Sequence, residues 1–109
     1  MPTAFDDRER GFEAKFVHDE ELRFRVTARR DKLFAAWLSA KWKLSATNAQ
    51  GLLEAILAVP DGAAHDTAVL TLATSRRPRH SASIEHAALQ AALEECAARA
   101  TEQLARGGS

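Results

Sequence analysis

The sequence predicts an all-α fold: a four-helix bundle preceded by a flexible, charged N-terminal arm. Three observations lead there. Apolar residues recur at steps of three and four in four separate segments, the spacing that lines one face of a helix. Short polar or Pro/Gly stretches punctuate those segments. Charge also crowds one end: residues 6 to 32 hold 16 of the 30 charged side chains, whereas residues 44 to 75 hold three, Glu54, Asp61 and Asp66.

A chain of 109 residues is the size of one small domain. Such a domain buries a limited share of its surface, so a long unpacked segment burdens the rest.

The arm comes first. Phe5, Phe12 and Phe16 recur at spacings of seven and four, which puts them on one helical stripe, with Asp, Arg, Glu and Lys on the other faces. Three rings bury too little to offset the entropy of ordering, so residues 1–18 are expected to be disordered alone. The stripe suits a segment that becomes helical when a partner's groove accepts it. Gly11 lies inside that segment and costs a helix roughly 0.8 to 1 kcal/mol.

Helix 1 is expected at about residues 19–42. Leu22, Val26, Leu33 and Trp37 form one line, with Phe34, Leu38 and Trp42 beside it. Ser45 is a candidate N-cap for a second helix over 46–58, whose stripe is Ala46, Ala49, Leu52, Leu53, Ile56 and Leu57. Gly51 weakens that helix, and Pro60 ends it by disfavouring helical backbone at Val59.

The stretch "PDGAAHD" at 60–66 has turn chemistry. Beyond it "TAVLTLAT", residues 67–74, alternates well enough for a strand. A lone strand would leave its backbone groups unpaired, so a third helix over 64–75 is the expectation. After the polar connection "SRRPRHSAS", Ser81 or Ser83 is expected to cap a last helix over 83–106 with the stripe Leu89, Leu93, Cys96, Ala100 and Leu104. Gly107 and Gly108 end it.

Chemistry is sparse. Lys plus Arg and Asp plus Glu are equal at 15 each, which gives no net grip on nucleic acid or an anionic membrane. The histidines at 18, 65, 80 and 86 follow no metal-binding spacing, and the lone Cys96 reads as a small buried apolar residue. No GxxxxGK[ST] loop or GxSxG elbow occurs. The reading is therefore a protein that is not an enzyme and needs no cofactor or metal. Arg76, Arg77, Arg79 and His80 form a small basic patch, expected to be a solvated loop. No apolar run approaches the ~18 to 20 residues of a membrane span, and a soluble cytoplasmic protein is expected.

Particular residues carry a likeness. The run Thr3, Phe5-Asp6-Asp7-Arg8-Glu9, Phe12-Glu13, Lys15-Phe16, His18-Asp19, Leu22, Phe24, Ala28-Arg29-Arg30, Lys32-Leu33, Trp37 and Leu44-Ser45 resembles the zeta inhibitor subunit of alphaproteobacterial F-type ATP synthases. A weaker likeness follows in Leu89, Leu93-Glu94-Glu95, Ala98, Ala100 and Glu102-Gln103-Leu104. The resemblance implies a four-helix bundle whose N-terminal arm inserts as a helix into a catalytic interface of the synthase head and stops ATP hydrolysis. It also implies the partner-binding residues: Thr3, Phe5, Asp6, Asp7, Arg8, Glu9, Phe12, Glu13, Lys15 and Phe16. The implied location is peripheral to the inner-membrane complex, with the free protein a monomer. The rival reading is a small helical adaptor that uses the same arm on another protein complex.

Overall fold

The structure, a computed structural model, describes the backbone of residues 4–107 and the side chains of residues 19–107. It contains four helices: α1 (Ala4–Lys41), α2 (Ala46–Leu57), α3 (His65–Ser75) and α4 (His86–Ala105). Residues 67–74 are thus helical, as the lack of a partner strand requires. The described residues contain no strand.

Helix α1 is the spine. Its C-terminal part packs on α2 and α4, while α3 closes against α2 and α4. The core takes Phe34, Ala35 and Leu38 from α1, with Trp42 just beyond its end. Leu52 and Ile56 come from α2, Val69, Leu70 and Ala73 from α3, and Leu89, Ala92, Leu93 and Cys96 from α4. Ala100 is buried further along α4. The small residues of α4 let the neighbouring helix come close.

Of the two apolar lines expected on α1, the one through Phe34, Leu38 and Trp42 is the deep one. Leu33 and Trp37 sit at its margin, with Trp37 stacked on Phe34 and the Lys41 ammonium over its ring. Leu22, at the start of the other line, is 42% exposed. The reason is reach: α4 finishes at Ala105, and Leu104 and Gly107 only border the groove beside Leu22.

Helix α1 begins at Ala4, not near residue 19. The expected division at residue 18 between arm and bundle falls on residues whose side chains lie outside the described set.

Local chemistry sets the ends of the helices. After α1 the chain turns through Lys43 at φ 51. The Leu44 N–H donates to the Ser39 carbonyl at 3.0 Å and the Lys43 N–H to the Ala40 carbonyl at 3.3 Å. That pair of bonds is a Schellman cap, with a lysine where glycine is preferred. Ser45 caps α2 as expected, its Oγ accepting from the Asn48 N–H at 3.1 Å.

Helix α4 departs from expectation, because neither Ser81 nor Ser83 caps it. Its N-cap is Glu85, with extended backbone and no side-chain capping bond. Ile84 and Leu89, at the N′ and N4 positions, both join the apolar cluster. A hydrophobic staple of this kind fixes where the chain enters the helix.

Candidate partner-binding site

Two regions on α1 are candidates for a functional site: the segment singled out by the sequence, and the place where α1 meets the bundle. Phe5, Asp6, Asp7, Arg8, Glu9, Phe12, Glu13, Lys15 and Phe16 lie within α1, whose backbone is helical from Ala4 onward. Their side chains, and all of Thr3, are outside the described residues.

From residue 19 the side chains come into view. Asp19 to Arg25 are exposed, Val26 to Arg29 half-buried, and Arg30 and Asp31 buried. Helix α1 therefore enters the bundle within about a turn and a half, between Val26 and Asp31. Phe24, 60% exposed, stands seven residues before Asp31 and so on the same side of the helix. It forms a wall of a surface cleft of about 400 Å³ whose other residues include Glu20, Arg23, Asp61, His65 and Asp66.

A buried ionic cluster holds the entry point. Arg30 donates through Nε and Nη2 to Asp31 Oδ1, at 3.1 and 2.9 Å. The same Nη2 lies 2.9 Å from Asp66 Oδ1 on α3. His65, the first residue of α3, donates from Nε2 to Asp31 Oδ2 at 2.7 Å and from Nδ1 to the Pro60 carbonyl at 2.9 Å. The Pro60 carbonyl only accepts, so Nδ1 carries hydrogen, and against an ionised Asp31 the Nε2 carries one as well, which makes the ring an imidazolium in that state.

Electrostatics agree with that assignment. Burial works against the charge on His65, yet the Pro60 carbonyl and the Asp31 carboxylate outweigh it, with Arg30 opposing, and the pKa rises above its ordinary 6.5. Burial likewise works against Arg30, while Asp66 and Asp31 raise its pKa further and keep it charged. Each buried charge thus has a partner, as the low-dielectric interior demands. The cluster ties α1 to the α2–α3 corner where the helix leaves the bundle.

Sequence reasoning missed this cluster. "RD" at 30–31 reads as part of a charge run and "HD" at 65–66 as part of a turn. A signal was present, since Asp31 lies three and seven residues before the buried Phe34 and Leu38, and His65 four before the buried Val69.

An adjacent face of α1, reached past Phe24, is basic. Arg25, Arg29 and Lys32 border a groove of about 370 Å³ floored by Leu22, Ala28 and Leu104. Arg29 reaches across to α4, donating from Nη1 to Gln103 Oε1 at 3.0 Å.

The described residues offer little for covalent chemistry. Cys96 is buried, and burial pushes its thiol above its ordinary range against the pull of Arg99, which makes a poor nucleophile. No three His, Cys, Asp or Glu side chains among the described residues are placed to hold a metal ion. Arg76, Arg77, Arg79 and His80 lie exposed on the α3–α4 connection, as expected of a solvated loop. No described helix is long and apolar enough to cross a membrane.

Comparison with curated proteins gives no match, and comparison with solved structures gives none either. The model of the ATPase inhibitor subunit zeta family, in contrast, matches residues 1–103, and the chain belongs to that family.

Proposed function

We propose that this protein is a non-catalytic inhibitor of the F-type ATP synthase. In this reading its N-terminal segment enters a catalytic interface of the head as a helix and blocks ATP hydrolysis sterically. The observation that carries it is the family match over residues 1–103, which spans the segment and the bundle alike. Helix α1 lends support, since it runs from Ala4 into the bundle as one element.

Phe5, Phe12 and Phe16 bury against apolar surface of the head, each contributing roughly 1.5 to 3 kcal/mol. Asp6, Asp7, Arg8, Glu9, Glu13 and Lys15 fix register through charge complementarity. Thr3 lies at the leading end. Wedged in the interface, the helix stops the cycle of opening and closing that hydrolysis needs, without touching the chemistry. The bundle stays outside and raises the effective concentration of the segment. The reading places the protein on the cytoplasmic side, peripheral to the membrane, as a monomer when unbound.

The test is ATP hydrolysis by detergent-activated membranes of the source bacterium, titrated with the purified full chain and with a Phe5→Ala/Phe12→Ala variant. The proposal expects inhibition by the wild type. It expects at least about a hundredfold weaker inhibition by the variant, from two lost burials, at an unchanged unfolding temperature. Absence of inhibition by the wild type refutes the reading and favours a helical adaptor for another complex.

A further inference from the structure

The basic groove between α1 and the end of α4 lies outside the segment assigned to the catalytic interface. Its floor is apolar, with Leu22 42% exposed, Ala28 and Leu104. Its rim is a row of cations, Arg25, Arg29 and Lys32, spaced at four and three residues on one face of the helix. Arg25 and Lys32 are exposed.

These cations differ from four other arginines among the described residues, two on α1, one on α4 and one at the C-cap of α4. Arg23, Arg30, Arg99 and Arg106 each meet a carboxylate on a described residue. Arg25, Arg29 and Lys32 make no ion pair with another described residue, and neither does Glu21, one turn ahead of Arg25. Arg29 is instead held by Gln103, which fixes one wall of the groove before any partner arrives.

We infer that this groove is a second contact with the same partner, and that its occupant is an acidic amphipathic helix on the surface of the ATP synthase head. The inference rests on the inhibitor reading and extends it from the N-terminal segment to the bundle. Charge complementarity selects the occupant. The three cations span about 10 Å of helix rise, a spacing that carboxylates at i, i+4 and i+7 of a neighbouring helix reproduce. The apolar face of that helix meets Leu22 and Leu104, in the helix-in-groove mode. The chain carries no net charge, so attraction to an extended polyanion is weak, and the row acts at the short range of the ~8 Å screening length. Two contacts on one chain also make binding of the second largely intramolecular.

The experiment is the hydrolysis titration with full-length variants. Arg25→Glu/Lys32→Glu should raise the concentration for half-inhibition by about tenfold or more, while Arg25→Lys/Lys32→Arg should hold near wild type. A remote pair, Arg76→Glu/Arg79→Glu, should inhibit as the wild type does. Unfolding midpoints of all three should match the wild type, since the altered side chains are exposed. Wild-type inhibition with an unaffected Arg25→Glu/Lys32→Glu variant overturns the groove contact and leaves the inhibitor reading intact. Equal weakening by the two reversed pairs also overturns it, because bulk charge then explains the effect. Binding of the wild type to phosphatidylglycerol vesicles, abolished by Arg25→Glu/Lys32→Glu while inhibition persists, reassigns the row to lipid and overturns it too. A wild type that does not inhibit removes the inhibitor reading itself.

Discussion

Asp31→Asn removes one charge from the cluster that joins α1 to α3 without changing side-chain size. Asp31 is 2% exposed and accepts from Arg30 through one oxygen and from His65 through the other. An asparagine has one acceptor oxygen, so one of the two donors loses its partner in a site with little access to water. Breaking a buried ion pair by removing one partner costs about 3–5 kcal/mol. Arg30 keeps Asp66 at 2.9 Å, which places the expected loss near the lower end, ~3 kcal/mol. For a domain of this size that lowers the unfolding midpoint by about 12–24 °C.

The same pair makes stability depend on pH in a defined direction. His65 has a folded pKa above its ordinary 6.5, so the folded state holds this proton more tightly than the unfolded chain. Its contribution is full below pH 6.5 and is lost as pH rises through the raised folded value. Urea unfolding followed by far-UV circular dichroism, below pH 6.5 and about two units above it, should show wild-type stability falling across that window. In Asp31→Asn the fall should be much smaller. A loss under about 1 kcal/mol, or equal pH slopes in the two proteins, would refute the buried imidazolium–carboxylate pair.

Three further substitutions test the helix ends and α2. Lys43→Gly relieves a left-handed backbone, φ 51, in the Schellman turn and should stabilise by about 1 kcal/mol, seen as a raised urea midpoint. Gly51→Ala should stabilise by about 0.5–1 kcal/mol, because a Cβ there meets nothing within 4 Å and the helix interior favours alanine. Ser45→Ala removes the oxygen that accepts from the Asn48 N–H and should cost roughly 1 kcal/mol, with Ser45→Asp close to wild type.

Much of the fold was legible because helical periodicity and capping act locally. Ser45, Pro60 and the Leu89–Leu93–Cys96 stripe each announce an element through near neighbours in the chain. What depended on the reach of other helices was not. The exposure of Leu22 follows from where α4 ends, and Ile84 rather than a serine sets the start of that helix. The Asp31–His65 pair joins positions 34 residues apart, so only the fold reveals that two ordinary charged dipeptides share one buried site. The N-terminal segment stood out for a different reason: phenylalanines at helical spacing amid dense charge serve no core of their own.

Insertion of that segment into the head is tested most directly by cross-linking. A photoreactive side chain placed at Phe12 of the full-length protein, bound to purified head under hydrolysing conditions, should form adducts with the catalytic subunits in step with loss of ATPase activity. Full inhibition without any adduct from that position, while the same probe at Arg25 cross-links, would contradict the account.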